Sequence, residues 1–178
     1  AIDLAYDNIK TFHQAQKRDG ISVETMPGIE CKMAFRPIEK VGLYIPGGTA
    51  PLFSSILMLA IPAQLAGCQE IVLCTPPDQK KNIHPAMLYA AQKCGVDKIF
   101  KLGGIQAVGA MTFGTESVPK VYKILGPGNR FVTAAKQRAT KHGISIDMPA
   151  GPSELMLAID DSANASYVAA DALSQAEH

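Results

Sequence analysis

Val41-Gly42-Leu43-Tyr44-Ile45-Pro46-Gly47-Gly48 is the stretch that decides how this chain folds. Val41 to Ile45 is a short apolar strand, and it runs straight into a glycine turn. A helix follows from about Pro51 to Ala66 and stops at Gly67, the residue type favoured just past a helix end. The same order then repeats downstream. Glu70 to Cys74 is a strand ending at Thr75-Pro76-Pro77, and His84 to Cys94 is a helix stopped by Gly95. Lys98 to Leu102 is a strand ending at Gly103-Gly104, and Ile105 to Phe113 is a short helix. Val121 to Leu125 is a strand ending at Gly126-Pro127-Gly128-Asn129.

The helix after that turn covers Phe131 to His142 and is stopped by Gly143. It carries Lys136, Arg138 and Lys141 toward its C-terminal half, the end where the helix dipole favours cations. Ile144 to Met148 and Glu154 to Ile159 read as strands. The last helix starts near Asn164, a good N-cap, and runs to His178. Short Ile-, Val- and Leu-rich strands alternating with helices predict burial on both sheet faces. The expected class is α/β, with a Rossmann-like, doubly wound, mostly parallel sheet.

Ahead of this unit the texture differs. Ile2 to Gln16 places Ile2, Tyr6, Ile9 and Phe12 at helical spacing. Ile29, Cys31, Met33 and Phe35 alternate with Glu30, Lys32, Ala34 and Arg36, which predicts a strand with one buried face. The last helix reaches His178 with no Gly, Asn or Pro after it, so four carbonyls lack a cap. The expectation is a chain cut short.

Bulk properties remove several classes. The 178 residues are 47% hydrophobic and 19% charged, ordinary for a globular protein. A net charge of +1 supplies no basic field for nucleic acid. The most apolar stretch, Leu52 to Ala66, is interrupted by Ser54, Ser55, Pro62 and Gln64, which predicts a buried helix rather than a membrane span. No basic-then-apolar leader opens the sequence, and a cytoplasmic location is expected. Cys31, Cys68, Cys74 and Cys94 form no CxxC pair and sit among apolar residues, so buried, inert thiols are expected.

In an open α/β sheet, ligands sit at the carboxyl ends of the strands. Three glycine-rich turns stand there: Pro46-Gly47-Gly48, Gly103-Gly104 and Gly126-Pro127-Gly128-Asn129. Glycine lets backbone N–H groups approach a phosphate, and a following helix N-terminus favours its charge. Turn geometry alone also calls for such glycines, so both readings stand. The GxGxxG fingerprint is absent, because Phe131 takes the place of the third glycine. Gln175 and His178 lie on one face of the last helix at i, i+3. Each can donate an electron pair to a metal, although spacing alone favours a solvated face. His13, His84 and His142 read as surface or cap residues. Ser153 sits in a tight turn that fails the GxSxG pattern, since Leu155 replaces the second glycine.

Four strings carry a resemblance: Gly42-Leu43-Tyr44-Ile45-Pro46-Gly47-Gly48, Ile124-Leu125-Gly126-Pro127-Gly128-Asn129, Ile146-Asp147-Met148-Pro149-Ala150-Gly151-Pro152-Ser153-Glu154 and Leu173-Ser174-Gln175-Ala176-Glu177-His178. In content and order they resemble the bacterial histidinol dehydrogenases. The resemblance covers essentially the whole chain. It implies two incomplete Rossmann-like domains: residues 1–43 and 155–178 in the first, and 44–154 in an inserted, NAD-contacting second. It implies a zinc-dependent homodimer that oxidises L-histidinol to L-histidine through L-histidinal, with two NAD⁺ reduced. By motif, Tyr44, Gln106 and Asn129 are implied NAD contacts, Ser153 a substrate contact, and Gln175 and His178 zinc ligands that also face the substrate. The family's catalytic Glu-His pair and its other zinc ligands match no residue here, so this chain alone is expected to be inactive. The alternatives from the residues are an aldehyde dehydrogenase using Cys68, Cys74 or Cys94, and a non-catalytic nucleotide-binding module.

Overall fold

The structure is a computed structural model describing residues 1–47, 51–96, 98–149 and 154–176. Its centre is a five-stranded, all-parallel sheet in the order β5-β4-β3-β6-β7. The strands are β3 (Lys40–Tyr44), β4 (Glu70–Thr75), β5 (Lys98–Lys101), β6 (Lys123–Leu125) and β7 (Ser145–Ile146). Helices α2 (Phe53–Ala66), α3 (Pro85–Lys93), α4 (Gly104–Phe113) and α5 (Arg130–Ala139) connect them, and one 3-10 turn (Thr140–His142) follows α5. The doubly wound α/β expectation holds.

Side-chain alternation along the strands sorts the core into two layers. Val41, Leu43 and Ile45 of the β3 segment, with Leu73 of β4, face α2 and α3, where Ile56, Leu57, Ile61 and Ala90 close the layer. Tyr44, Val72, Cys74 and Ile124 face α4 and α5, against Val108, Met111 and Val132. Full burial of each large aliphatic chain is worth about 1.5–3 kcal/mol. This explains why α2 is apolar all round and why the Leu52 to Ala66 stretch is core. Gly67, at φ +87°, ends α2 in the left-handed conformation expected of it.

Helix α1 (Ile2–Ala15) packs on α2, with Tyr6 buried. Next comes an antiparallel hairpin of β1 (Ile21–Met26) and β2 (Ile29–Met33), turning at Pro27-Gly28. The alternation at 29–33 does form a strand, but no face of it is buried: every residue of β1 and β2 is exposed. Its partner β1 adds a second exposed apolar row, Ile21 and Val23. The strand expected over Glu154 to Ile159 does not form. Residues 154–160 form no regular element and are exposed, because an apolar pattern makes a strand only where a neighbour takes its N–H and C=O groups. The last helix, α6 (Ala165–Ala176), is capped by Asn164, whose Oδ1 accepts from Ser166 N at 2.9 Å.

Candidate functional site

β3 and β6 lie side by side, yet the chain leaves them in opposite directions across the sheet. From β3 it crosses by α2 to β4, and from β6 it crosses by α5 to β7. That divergence opens a crevice at the carboxyl ends, the general ligand position of such sheets.

Tyr44 ends β3 and is almost wholly buried. Its hydroxyl oxygen accepts a hydrogen bond from Gly104 N at 3.0 Å, at the first turn of α4. Gly104 sits at φ +64°, and a β-carbon there would stand 2.9 Å from Gln106 Oε1. The exposed Gln106 side chain therefore reaches back over the start of its own helix. On the other side, Gly126 presses on the Tyr44 backbone. A β-carbon on Gly126, at φ +128°, would lie 2.0 Å from the Tyr44 carbonyl oxygen. Only glycine fits this position.

The turn after Gly126 leads into α5. Asn129 caps that helix, its Oδ1 accepting from Phe131 N at 3.0 Å and Val132 N at 3.1 Å. The structure thus brings three expected residues to one edge: Tyr44 at the centre, Gln106 at the α4 end and Asn129 at the α5 end. Two helix N-termini open there, and both offer partial positive charge.

Two hollows flank this edge. One, of about 150 Å³, is lined by Gly126, Pro127, Gly128, Lys136, Asp147 and Met148 among others. The second, of about 230 Å³, lies by the ends of β3 and β4, with Gly47, Pro76, Asp78, Asn82 and His84 in its wall. Pro76 wedges between two turns: a β-carbon on Gly47 or on Gly103 would come within 2.6 Å of its ring.

Lys136 stands in the last turn of α5, as its place in the sequence predicts. It is buried, donates from Nζ to Gly126 O at 2.7 Å, and pairs with Asp147 Oδ1. Asp147 Oδ2 in turn accepts from Gly126 N at 2.6 Å. Spacing within α5 gives no hint of this partner, which lies beyond the helix at the end of β7.

Ser153 and His178 lie outside the described residues. Gln175 is half-buried on α6. Among the described residues no group of three or more His, Cys, Asp or Glu stands together as a metal site. His84 caps α3 as expected, its Nδ1 accepting from Ala86 N at 3.2 Å. Of the thiols, Cys74 and Cys94 are buried, and Cys68 is partly so. Cys31 is exposed on the hairpin, contrary to the expectation of burial. Burial pushes the Cys74 thiol up to about 12 and Cys94 to about 11, and it raises Cys68 as well. No described helix is long and apolar enough to cross a membrane.

The family model for histidinol dehydrogenase matches residues 1–178. The chain belongs to the histidinol dehydrogenase family. It is 66% identical over 178 residues to the histidinol dehydrogenase of Bacteroides thetaiotaomicron, covering all of this chain and 42% of that protein. Identity to the Vibrio cholerae enzyme is 55% over 180 residues, with 41% of that protein covered. The crystal structure of histidinol dehydrogenase from Elizabethkingia anophelis superposes with a TM-score of 0.96 at 60% identity, again over the whole chain and 41% of its own length. The chain spans about two-fifths of the length of the curated relatives it matches. Family membership rests on the entire segment, the hairpin and α6 included.

Proposed function

We propose that this chain is the dinucleotide-contacting part of an enzyme that oxidises L-histidinol to L-histidine through L-histidinal, working as a cytoplasmic homodimer. The observation that carries the reading is the full-length family match, joined to a switch-point edge where Tyr44 is gripped between Gly104 and Gly126. NAD⁺, when bound, supplies the hydride acceptor for both oxidation steps. Gly126 lets its turn pack on the Tyr44 backbone, and the two helix N-termini brought to this edge suit the negative charge of a dinucleotide. Tyr44 fixes the α4 N-terminus, Asn129 fixes the α5 N-terminus, and Gln106 stands at the rim as a polar contact. Holding the cofactor there in one orientation turns hydride transfer into a positioned, effectively unimolecular step.

Ser153 is proposed as a substrate contact. Gln175 and His178 are proposed as substrate contacts and as two ligands of a Zn²⁺ ion. When bound, that ion would supply Lewis-acid polarisation and orientation of the substrate. The thiol-dependent alternative loses support from the burial of Cys74 and Cys94, since a nucleophilic cysteine needs a lowered pKa, not a raised one.

The test is turnover. Full-length protein containing this segment, given L-histidinol and NAD⁺, is expected to release two NADH per L-histidine formed. The 178-residue segment alone is expected to release none. Full-length protein that leaves L-histidinol unchanged would overturn the proposal.

A further inference from the structure

Both polar groups of Gly126 are held by one ion pair, whose lysine is buried and whose carboxylate is part-exposed. The Lys136 ammonium takes its carbonyl at 2.7 Å, and the Asp147 carboxylate takes its N–H at 2.6 Å. Lys136 is 5% exposed, and it touches both Gly126 O and Asp147 Oδ1. Gly126 has a conformation closed to other residues, φ +128°, and backs onto the Tyr44 carbonyl. Such a peptide keeps its orientation only where its surroundings fix it. From Gly126 the chain turns through Pro127 and Gly128 to Asn129, the cap of α5.

We infer that Lys136 and Asp147 are positioning residues for the dinucleotide, acting through the Gly126-Pro127-Gly128-Asn129 turn. The inference rests on the proposed NAD⁺ reading of that edge. Charge-assisted hydrogen bonds are about twice as strong as neutral ones, and here two of them converge on one residue, one on each of its flanking peptide units. Lys136 is a poor candidate for simple core filling, because a buried ion pair gives little net stability over apolar packing. Its value lies in orientation. With the pair broken, the peptide units on either side of Gly126 lose these restraints, and the Asn129 end of the edge loses its fixed relation to Tyr44.

The experiment uses full-length protein and initial-rate kinetics with NAD⁺ and L-histidinol varied separately. Lys136→Met keeps the chain length and removes the charge. It is expected to raise KM for NAD⁺ by about tenfold or more, with kcat and KM for L-histidinol within about threefold of the parent. Lys136→Arg restores the charge, and the hollow beside Lys136 gives the larger head room. It is expected to bring KM for NAD⁺ back to within about threefold of the parent. Should Lys136→Met not fold, Asp147→Asn serves in equilibrium NAD⁺ binding, because its one carbonyl oxygen can still accept from Gly126 N–H while the charge and the acceptor facing Lys136 are lost. It is expected to bind about fivefold more weakly or worse. Parent protein with no NAD⁺-dependent turnover overturns the functional reading and this inference together. An active parent with an unshifted KM for NAD⁺ in Lys136→Met, or unshifted NAD⁺ binding in Asp147→Asn, overturns this inference alone.

Discussion

The Tyr44 hydroxyl accepts the Gly104 amide at 3.0 Å across sixty positions of sequence. That bond ties the end of the central strand to the first turn of the helix on the far side of the crossover. Without it, the part-buried Gly104 N–H loses this acceptor. Tyr44→Phe is therefore expected to cost about 1–2 kcal/mol in urea denaturation, the usual penalty for stranding a largely buried donor. It should also weaken NAD⁺ binding. A variant as stable as the parent would show that the bond contributes nothing.

Two glycines with positive φ make predictions of different size. Gly126→Ala drives a methyl to 2.0 Å from the Tyr44 carbonyl oxygen, a backbone atom that has no rotamer to change. Loss of about 3 kcal/mol or more, or failure to fold, is expected. Gly143→Ala also places alanine at positive φ, +78°, but meets nothing within 4 Å. Only the left-handed strain of about 1–2 kcal/mol remains. Equal unfolding midpoints for the two variants would mean that the contact with Tyr44 is not as close as described.

The thiols should differ sharply in reactivity. Cys31 is exposed, whereas Cys74 and Cys94 are buried and burial holds both protonated, near 12 and 11. A chromogenic disulfide at pH 8 is expected to label Cys31 fast and to leave Cys74 and Cys94 unlabelled until the protein is denatured. Turnover lost in Cys68→Ala or Cys94→Ala at normal stability would revive the thiol mechanism.

The amino-terminal edge of the sheet carries a charge cluster remote from the site. Glu70 opens β4 and accepts from Lys98 Nζ at 2.7 Å, with Lys40 Nζ at 3.3 Å. The hydrogen bond from Lys98 holds the Glu70 carboxyl below its ordinary range; burial opposes it, and the hydrogen bond from Lys40 adds to the lowering. A lowered folded-state pKa means stability that is present above the unfolded value and lost as pH falls through the folded one. Glu70→Gln is expected to flatten the acid limb of stability below about pH 4.3. At pH 7 it should cost under about 1 kcal/mol, because the lysines are partly solvated. An unchanged acid limb would remove Glu70 from the account.

How much of this could be read from the residues follows from where the information lies. The sheet and its crossovers were legible, because strand, glycine turn and stopped helix are local patterns, and Gly67 and Asn164 act where they stand. Tyr44, Gln106 and Asn129 came from motif resemblance, and the fold brings them to one edge. Lys136 is legible as a cation in the C-terminal half of α5, but its pairing is not, because Asp147 joins it only when β7 pairs with β6. The strand at Glu154 to Ile159 was misread for a related reason, since alternation reports a preference and not a neighbour. Hairpin β1 was overlooked, although Ile21-Ser22-Val23-Glu24 before Pro27-Gly28 carries both the period of two and the turn.

The most direct measurement is a crystal structure of the full-length protein with NAD⁺. The account predicts dinucleotide density along the carboxyl edge between β3 and β6, with polar atoms within hydrogen-bond reach of Gln106 and Asn129. Dinucleotide seated only in the hollow by Asp78 and His84, away from the Gly126 turn, would contradict it.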